Sequence, residues 1–296
     1  MIFNYAVTKI GFYHLEKNLP CQDYHYLKEQ DRHFVIASVA DGLGSEIHSD
    51  IASKIASEIS VDYCSKTISR GMKKEEIVRK IKESFREALS SINDYVSQNN
   101  EDSSQFDTTL SLVVYMDGNV YFGQSGDSGI LAYLCDGTYK LLSEKQNDEN
   151  GYVYPLCFGE ERWQFGCEEN VASILLATDG IFNLLFPYLL ANQQNKIYVS
   201  LAEYLMNNKI LKFNRVNYKK VQEKMTAFIE SLKKEEVQDD KTILVLLDTS
   251  LKVKRQADDY YAVPDWKKLK EEYDKKYFEE AYPSLIIDKG EDSDVK

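Results

Sequence analysis

Phe34-Val35-Ile36-Ala37-Ser38-Val39-Ala40-Asp41-Gly42-Leu43-Gly44-Ser45 is an apolar, strand-like run that ends on an aspartate and turns at once into a glycine-containing loop. The same order recurs far downstream, where Val171-Ala172-Ser173-Ile174-Leu175-Leu176-Ala177-Thr178 precedes Asp179-Gly180-Ile181-Phe182-Asn183. A third acidic pair, Asp239-Asp240, opens the apolar run Thr242 to Leu247. An ionised carboxylate at the end of a buried strand is costly unless something pairs with it. Several converging on one point need a cation, so the pattern predicts a carboxylate-lined site for hard divalent metals.

Two further Asp-Gly pairs act as a control. Val113-Val114-Tyr115 precedes Asp117-Gly118 and Val120-Tyr121-Phe122 follows it, while Ile130 to Leu134 precedes Asp136-Gly137 and Tyr139 to Leu142 follow. Strand-like text on both sides reads as a hairpin, with Asp-Gly supplying the positive φ of a tight turn. Asp41 and Asp179 are followed by helix-like text instead, so the turn reading fits them poorly.

Working outward, Ile47, Ile51, Ile55, Ile59 and Tyr63 recur every four residues, with Ala52 and Ala56 beside them, and predict a helix from Ile47 to Tyr63. After a break at Gly71, the stripe Ile77, Ile81, Phe85, Leu89, Ile92 and Val96 predicts a second. Residues 108–142 read as consecutive strands. Residues 143–166 are irregular and polar with scattered aromatics, which points to a functional loop or flap. Residues 181–232 read as mainly helical, and a strand at 242–248 closes the main unit. Strands, helices and strands without regular βαβ alternation predict an α+β layered fold.

Two parts are expected: residues 1–250 as the main domain and 251–296 as a charged, aromatic-rich C-terminal extension. In the extension, Pro264-Asp265 predicts the start of a helix running to about Ala281, its aromatics packing on the main domain. Residues 290–296 are expected to be disordered.

The chain has 296 residues, and 43% hydrophobic against 28% charged is enough apolar content for a proper core. A net charge of −12 argues against nonspecific binding to nucleic acid or anionic lipid, both of which need clustered positive charge. The longest apolar runs are too short to cross a bilayer. The N-terminal text alternates like a strand and lacks a secretory layout. Together with five cysteines (Cys21, Cys64, Cys135, Cys157, Cys167) that form no CxxC pair, this predicts a cytoplasmic protein with reduced thiols and no membrane or nucleic-acid partner.

With these positions placed, the chain resembles the metal-dependent protein phosphatase family, protein phosphatase 2C, and within it the bacterial branch. The motifs carrying the resemblance run in order over about residues 5–248. They are Cys21-Gln22-Asp23, Asp41-Gly42-Leu43-Gly44-Ser45, Thr108-Thr109-Leu110, Gly126-Asp127-Ser128, Ala177-Thr178-Asp179-Gly180-Ile181-Phe182 and Asp239-Asp240-Lys241-Thr242. The resemblance implies a central antiparallel β-sandwich flanked by pairs of helices. It also implies a centre of two Mn²⁺ or Mg²⁺ ions held by Asp41, Asp179, Asp239 and the Gly42 carbonyl. Asp23 would hold water beside the ions and Asp127 would help bind a weaker third. Oxygen-only ligation suits these metals and disfavours zinc.

The implied reaction is hydrolysis of phosphoserine or phosphothreonine on proteins by a water that two ions activate. The implied partners are phosphoprotein substrates and a cognate Ser/Thr kinase. Departures are visible as well. Asn18 stands where many members carry a phosphate-binding arginine, with Lys17 and His14 the basic alternatives, and Gly129 stands where an arginine often follows the Gly-Asp-Ser motif. Asn183 replaces an acidic ligand, and Leu43 replaces the histidine of the eukaryotic branch, which leaves His48 as the candidate proton donor. Two competing classes follow. One is a weak or inactive phosphatase-fold module that binds a partner. The other is a metal-dependent nuclease or phosphodiesterase, which the acidic charge disfavours.

Overall fold

The structure, a computed structural model, describes residues 1–281. The expectation of disorder at 290–296 lies outside the described residues. In chain order the elements are β1 (Ile2–Lys9), α1 (Phe12–Lys17), β2 (Asp23–Asp31), β3 (Phe34–Asp41), α2 (Ser49–Thr67), α3 (Lys74–Asn99), β4 (Leu110–Met116) and β5 (Asn119–Ser125). There follow β6 (Gly129–Leu134), β7 (Tyr139–Leu141), β8 (Gln164–Glu168), β9 (Val171–Ala177), α4 (Asp179–Leu185), α5 (Val199–Met206), α6 (Asn208–Leu211), α7 (Tyr218–Ser231), β10 (Lys241–Asp248) and α8 (Trp266–Ala281).

The strands form two five-stranded antiparallel sheets, in the orders β1-β10-β9-β6-β7 and β2-β3-β4-β5-β8. Because the side-chain period of a strand is two, alternate residues serve different cores. Val35, Ala37 and Val39 of β3 point inward with Val113, Ile130, Ile174, Leu176, Leu244 and Leu246 to fill the space between the sheets. Phe34 and Ile36 point the other way, into the core under α2 and α3. Ile243, Val245 and Leu247 of β10 face α4, α5 and α7 on the opposite side. Both faces of the central strands are therefore buried, which explains runs too uniformly apolar to alternate. The result is the expected α+β sandwich between helical layers.

Asp117 and Gly118 both have positive φ, 51° and 80°, and close the β4–β5 hairpin as expected. Gly137 does the same work between β6 and β7.

Three features depart from the sequence expectation. The deepest face of α2 is the small one: Ser49, Ala52, Ser53, Ala56, Ser57, Ser60, Val61 and Cys64 are buried. Ile51, Ile55 and Ile59 pack only partly against the same core, and Ile47 precedes the helix, 65% exposed. Small side chains let α2 lie close on β2 and β3, so backbone approach, more than apolar bulk, sets its orientation. The second feature is β8, which falls partly within the stretch read as irregular. It is a short edge strand, paired among the described residues to β5 alone, whose Gln-Phe-Gly-Cys-Glu text lacks a long apolar run. Third, the stretch after Asp179, mainly helical as expected, comes as separate helices of which α7, with 14 residues, is the longest.

Residues 251–278 lie against the main body. Tyr261 is buried and its hydroxyl donates to Gly137 O at 3.1 Å. Trp266 meets Tyr198 edge-on with ring centroids 4.9 Å apart, and Tyr273 meets Tyr188 at 5.0 Å. No helix among the described residues is long and apolar enough to cross a membrane. All five cysteines are free.

Candidate active site

Strand ends build the site. β2 begins on Asp23 and β3 ends on Asp41, and the antiparallel register sets the two directly opposite one another. The loop before β4 braces this corner. Asp41 N donates to Thr109 Oγ1 at 2.9 Å, while Thr109 N and Thr108 Oγ1 both donate to Asp41 O, at 2.8 and 3.0 Å. Gly42 has no room for a side chain: an added Cβ would lie 2.6 Å from Ser49 O, at the start of α2. The Asp-Gly of this motif is thus needed for close packing, unlike the Asp-Gly pairs that turn hairpins.

β9 passes through Thr178 into α4, whose first residue is Asp179. Thr178 Oγ1 donates to Asp23 Oδ2 at 2.7 Å, which ties the two sheets together at the site. The other oxygen of that carboxylate, Asp23 Oδ1, is buried without a hydrogen-bond partner. Asp127 occupies the crossing from β5 to β6 and is buried. Asp239 is exposed at the entrance to β10 and receives the Asp240 N–H at 2.8 Å.

These carboxylates act strongly on one another. Burial pushes the Asp41 carboxyl well above its usual range, and Asp23, Asp179, Asp127 and Asp239 push it further. Asp179 rises to about 7, through burial first and then Asp127 and Asp239, with Lys145 opposing. Asp23 is raised by burial and then by Asp240, against the Thr178 and Thr242 hydrogen bonds. Asp127 is raised by burial, again with Lys145 opposing. Five of the sequence-derived site residues, Asp23, Asp41, Asp127, Asp179 and Asp239, therefore share one electrostatic neighbourhood. Carboxylates gathered from distant strand ends, with a buried oxygen left unpaired, fit a divalent-cation site of oxygen donors.

His48 keeps other company. Its Nε2 lies 3.8 Å from Glu101 Oε2 and its ring packs 5.0 Å from Phe106.

Asp240, quoted within its motif but given no role, proves to be a hub. Its carboxylate receives the N–H groups of Gly11 and Gln22, each at 2.6 Å, and pins the α1 segment to the start of β10. His14 Nδ1 lies 2.8 Å from Asp240 Oδ2, off the line of a hydrogen bond, with both side chains 2% exposed. His14, Asp239 and Asp240 bring donor atoms within 4.8 Å of one another. With two amides already bound to Asp240, that group reads as a fastening for the loop carrying Asp239.

The places of the two absent arginines are also explained. Asn18 has φ 54° and ends α1 in the left-handed conformation, a role asparagine fills well. Any Cβ on Gly129 would overlap the Phe182 ring, so no larger residue fits there. Lys17 lies over the Tyr13 ring, 4.8 Å from its centroid.

A side chain that no motif predicted stands at the rim. Lys145, in the segment between β7 and β8, donates to Asn183 Oδ1, and Asn183 Nδ2 donates in turn to Asp179 Oδ2 at 3.5 Å. Asp179, Asn183 and Asp239 line a cleft of about 380 Å³ together with Tyr13, Gly180 and residues 236–238.

The chain belongs to the protein phosphatase 2C family, whose profile matches residues 10–244. Its fold is that of solved bacterial phosphatases. A bacterial serine phosphatase aligns at TM-score 0.59 and 10% identity, over 86% of this chain and all of its own. The serine/threonine phosphatase Stp1 of Staphylococcus aureus aligns at TM-score 0.58 and 10% identity, covering 83% of this chain and 95% of that one. The catalytic domain of the serine/threonine phosphatase PstP, solved with 2 manganese ions, aligns at TM-score 0.55 and 15% identity, covering 83% and 97%. No curated protein matches the sequence.

Proposed function

We propose that this protein removes phosphate from phosphoserine and phosphothreonine side chains of proteins, using divalent cations held by Asp41, Asp179, Asp239 and the carbonyl of Gly42. The observation that carries the reading is the mutual pressure among carboxylates from separate strand ends, Asp41 and Asp179 above all. Such a cluster favours a folded state that binds cations, and the manganese of the PstP domain supports Mn²⁺ or Mg²⁺ as the occupant. When bound, such ions would offset charge on the phosphoryl oxygens and make a water a better nucleophile.

The chain's own residues supply the rest. Asp23, fixed by Thr178 and facing Asp41, presents its free oxygen to accept a proton from a water held at the site. The Thr108–Thr109 brace holds Asp41 on a rigid strand end, so little order has to be created when substrate arrives. A third, weaker ion at Asp127 would compete with the Lys145 amine for the same carboxylate. Residues 1–250 are proposed as the catalytic unit and 251–296 as its extension, in a cytoplasmic protein that opposes a Ser/Thr kinase.

Hydrolysis of a phosphothreonine peptide with and without Mn²⁺ tests the proposal. Metal-dependent release of phosphate is expected. A folded protein without it would favour the partner-binding module, and faster cleavage of bis(p-nitrophenyl) phosphate than of the monoester would favour a phosphodiesterase.

A further inference from the structure

A phosphomonoester dianion approaching this cleft meets carboxylates on several sides. Bound metal ions answer part of that charge, but the outer phosphoryl oxygens need donors of their own. Lys145 is placed to give them. Residues on either side of it are anchored: Glu144 N donates to Gln164 Oε1 at 3.0 Å, Gln146 N donates to Gly126 O at 3.1 Å, and Gln146 Oε1 receives Gly126 N at 2.9 Å. The backbone is therefore held beside Asp127 while the lysine side chain stays exposed.

The partner of that side chain is unusual. Lys140, one strand away, pairs directly with Glu168 at 2.5 Å. Lys145 forms no such ion pair among the described residues; its amine donates to the neutral amide of Asn183. Through Asn183, whose Nδ2 donates to Asp179 Oδ2 at 3.5 Å, the amine stands one side chain away from a proposed metal ligand. An ammonium carries three donors, and an amide oxygen is a weak partner that an anionic oxygen readily replaces. Asn183 also lines the cleft with Asp179 and Asp239, so the amine sits on its rim.

We propose that Lys145 binds the phosphoryl group of the substrate, leaving Asn183 to donate to the non-reacting phosphoryl oxygens. This deepens the phosphatase reading and rests on it. Because the lysine rides on the segment that borders the cleft, the same contact would couple phosphate binding to the position of residues 143–163.

The test uses the full chain loaded with Mn²⁺, with inorganic phosphate as the calorimetric probe and a phosphothreonine peptide for kinetics. Lys145→Gln is expected to weaken phosphate binding about tenfold and to raise KM by a similar factor, with a smaller effect on kcat. Lys145→Arg should restore most of the binding, while Lys140→Gln should leave it unchanged. Thermal midpoint and Mn²⁺ affinity should match the wild type in Lys140→Gln, and phosphate affinity of both Lys145 variants is read at saturating Mn²⁺, so that any change in metal affinity does not enter it. Unchanged phosphate affinity in Lys145→Gln, no rescue by arginine, or no phosphate binding by the wild type would each overturn the assignment. The two readings separate cleanly. A wild type that binds phosphate without hydrolysing the peptide defeats the phosphatase proposal, while calorimetry still decides the role of Lys145.

Discussion

Asp23 and Asp41 face each other directly across the β2–β3 ladder, so two carboxylates meet where a sheet would ordinarily place a neutral or oppositely charged pair. Like charges opposite one another destabilise a strand pair. Here burial and three further acids add to the conflict, and both carboxyls are pushed well above their ordinary range. The metal-free fold thus stores unfavourable electrostatics at one corner, and cation binding relieves it.

Asp41→Asn removes one member of that conflict while keeping its shape. The variant should lose at least about a hundredfold in Mn²⁺-dependent turnover, because a proposed ligand is gone. In chelator, the same variant should melt higher than the wild type, by about 2–4 °C for a gain near 1 kcal/mol in a chain of this size. Turnover and thermal midpoint measured on one preparation check both. A variant that is inactive and also less stable in chelator would show that Asp41 is held by something other than repulsion.

The same reasoning fixes a pH dependence for the chelated protein. Asp179 has a folded pKa near 7, well above the value of an exposed aspartate. Between those values the folded state binds more protons than the unfolded one, so stability falls as pH rises across the interval. Stability in chelator should therefore fall from about pH 4.5 to pH 8 by on the order of 1–2 kcal/mol once partial exposure is discounted, read as a falling thermal midpoint. Saturating Mn²⁺ should flatten the profile by stabilising most at the alkaline end. A chelated protein that grows more stable from pH 5 to pH 8 would contradict the origin assigned to the shift.

Gly42→Ala probes the brace. Its new methyl would press on Ser49 at the start of α2, where both groups are fixed in backbone. A cost of about 2–3 kcal/mol is expected, together with reduced Mn²⁺ affinity, since the Gly42 carbonyl is a proposed ligand. Denaturant unfolding and metal titration read the two effects separately.

The parts of this molecule that could be read from its sequence are those governed by short-range rules. Strand runs ending in Asp-Gly, hairpin turns and the helix opened by Asp265 all announce themselves locally, and Asp265 Oδ1 does receive Lys268 N at 3.1 Å. What escaped depends on partners distant in the chain. Asp240 is a hub because Gly11 and Gln22 arrive at it from the far end of the sequence. Lys145 matters through Asn183, and nothing around Lys145 distinguishes it from a solvated surface lysine. Which face of α2 lies deepest escapes for a related reason, since closeness of backbone rather than side-chain bulk decides it.

The buried face of α2 has its own test. Ala56 is fully buried on the face of α2 that lies against the sheet, whereas Ile55 is only partly buried. Ala56→Leu should overpack the interface and cost about 2–3 kcal/mol, more than the truncation Ile55→Ala. If Ile55→Ala proved the more damaging change in denaturant unfolding, the isoleucine stripe would be the true buried face.

The C-terminal segment divides energetically within residues 251–278. Up to Tyr261 it is woven into the main body: Lys254 N donates to Cys135 O at 2.8 Å, Tyr139 N to the Tyr260 hydroxyl at 2.9 Å, and Ser200 Oγ to Tyr261 O at 2.8 Å. Beyond it, α8 makes edge contacts through Trp266 and Tyr273 while Tyr277 and Phe278 are exposed. A chain ended after Ala262 should therefore lose only about 1 kcal/mol of stability and retain its turnover. A chain ended after Ser250 also forfeits the buried Tyr261 ring and should lose about 3–5 kcal/mol. Equal losses from the two truncations would mean that residues 251–262, the buried Tyr261 ring included, add nothing to stability, and thermal melts of both chains in Mn²⁺ would show which holds.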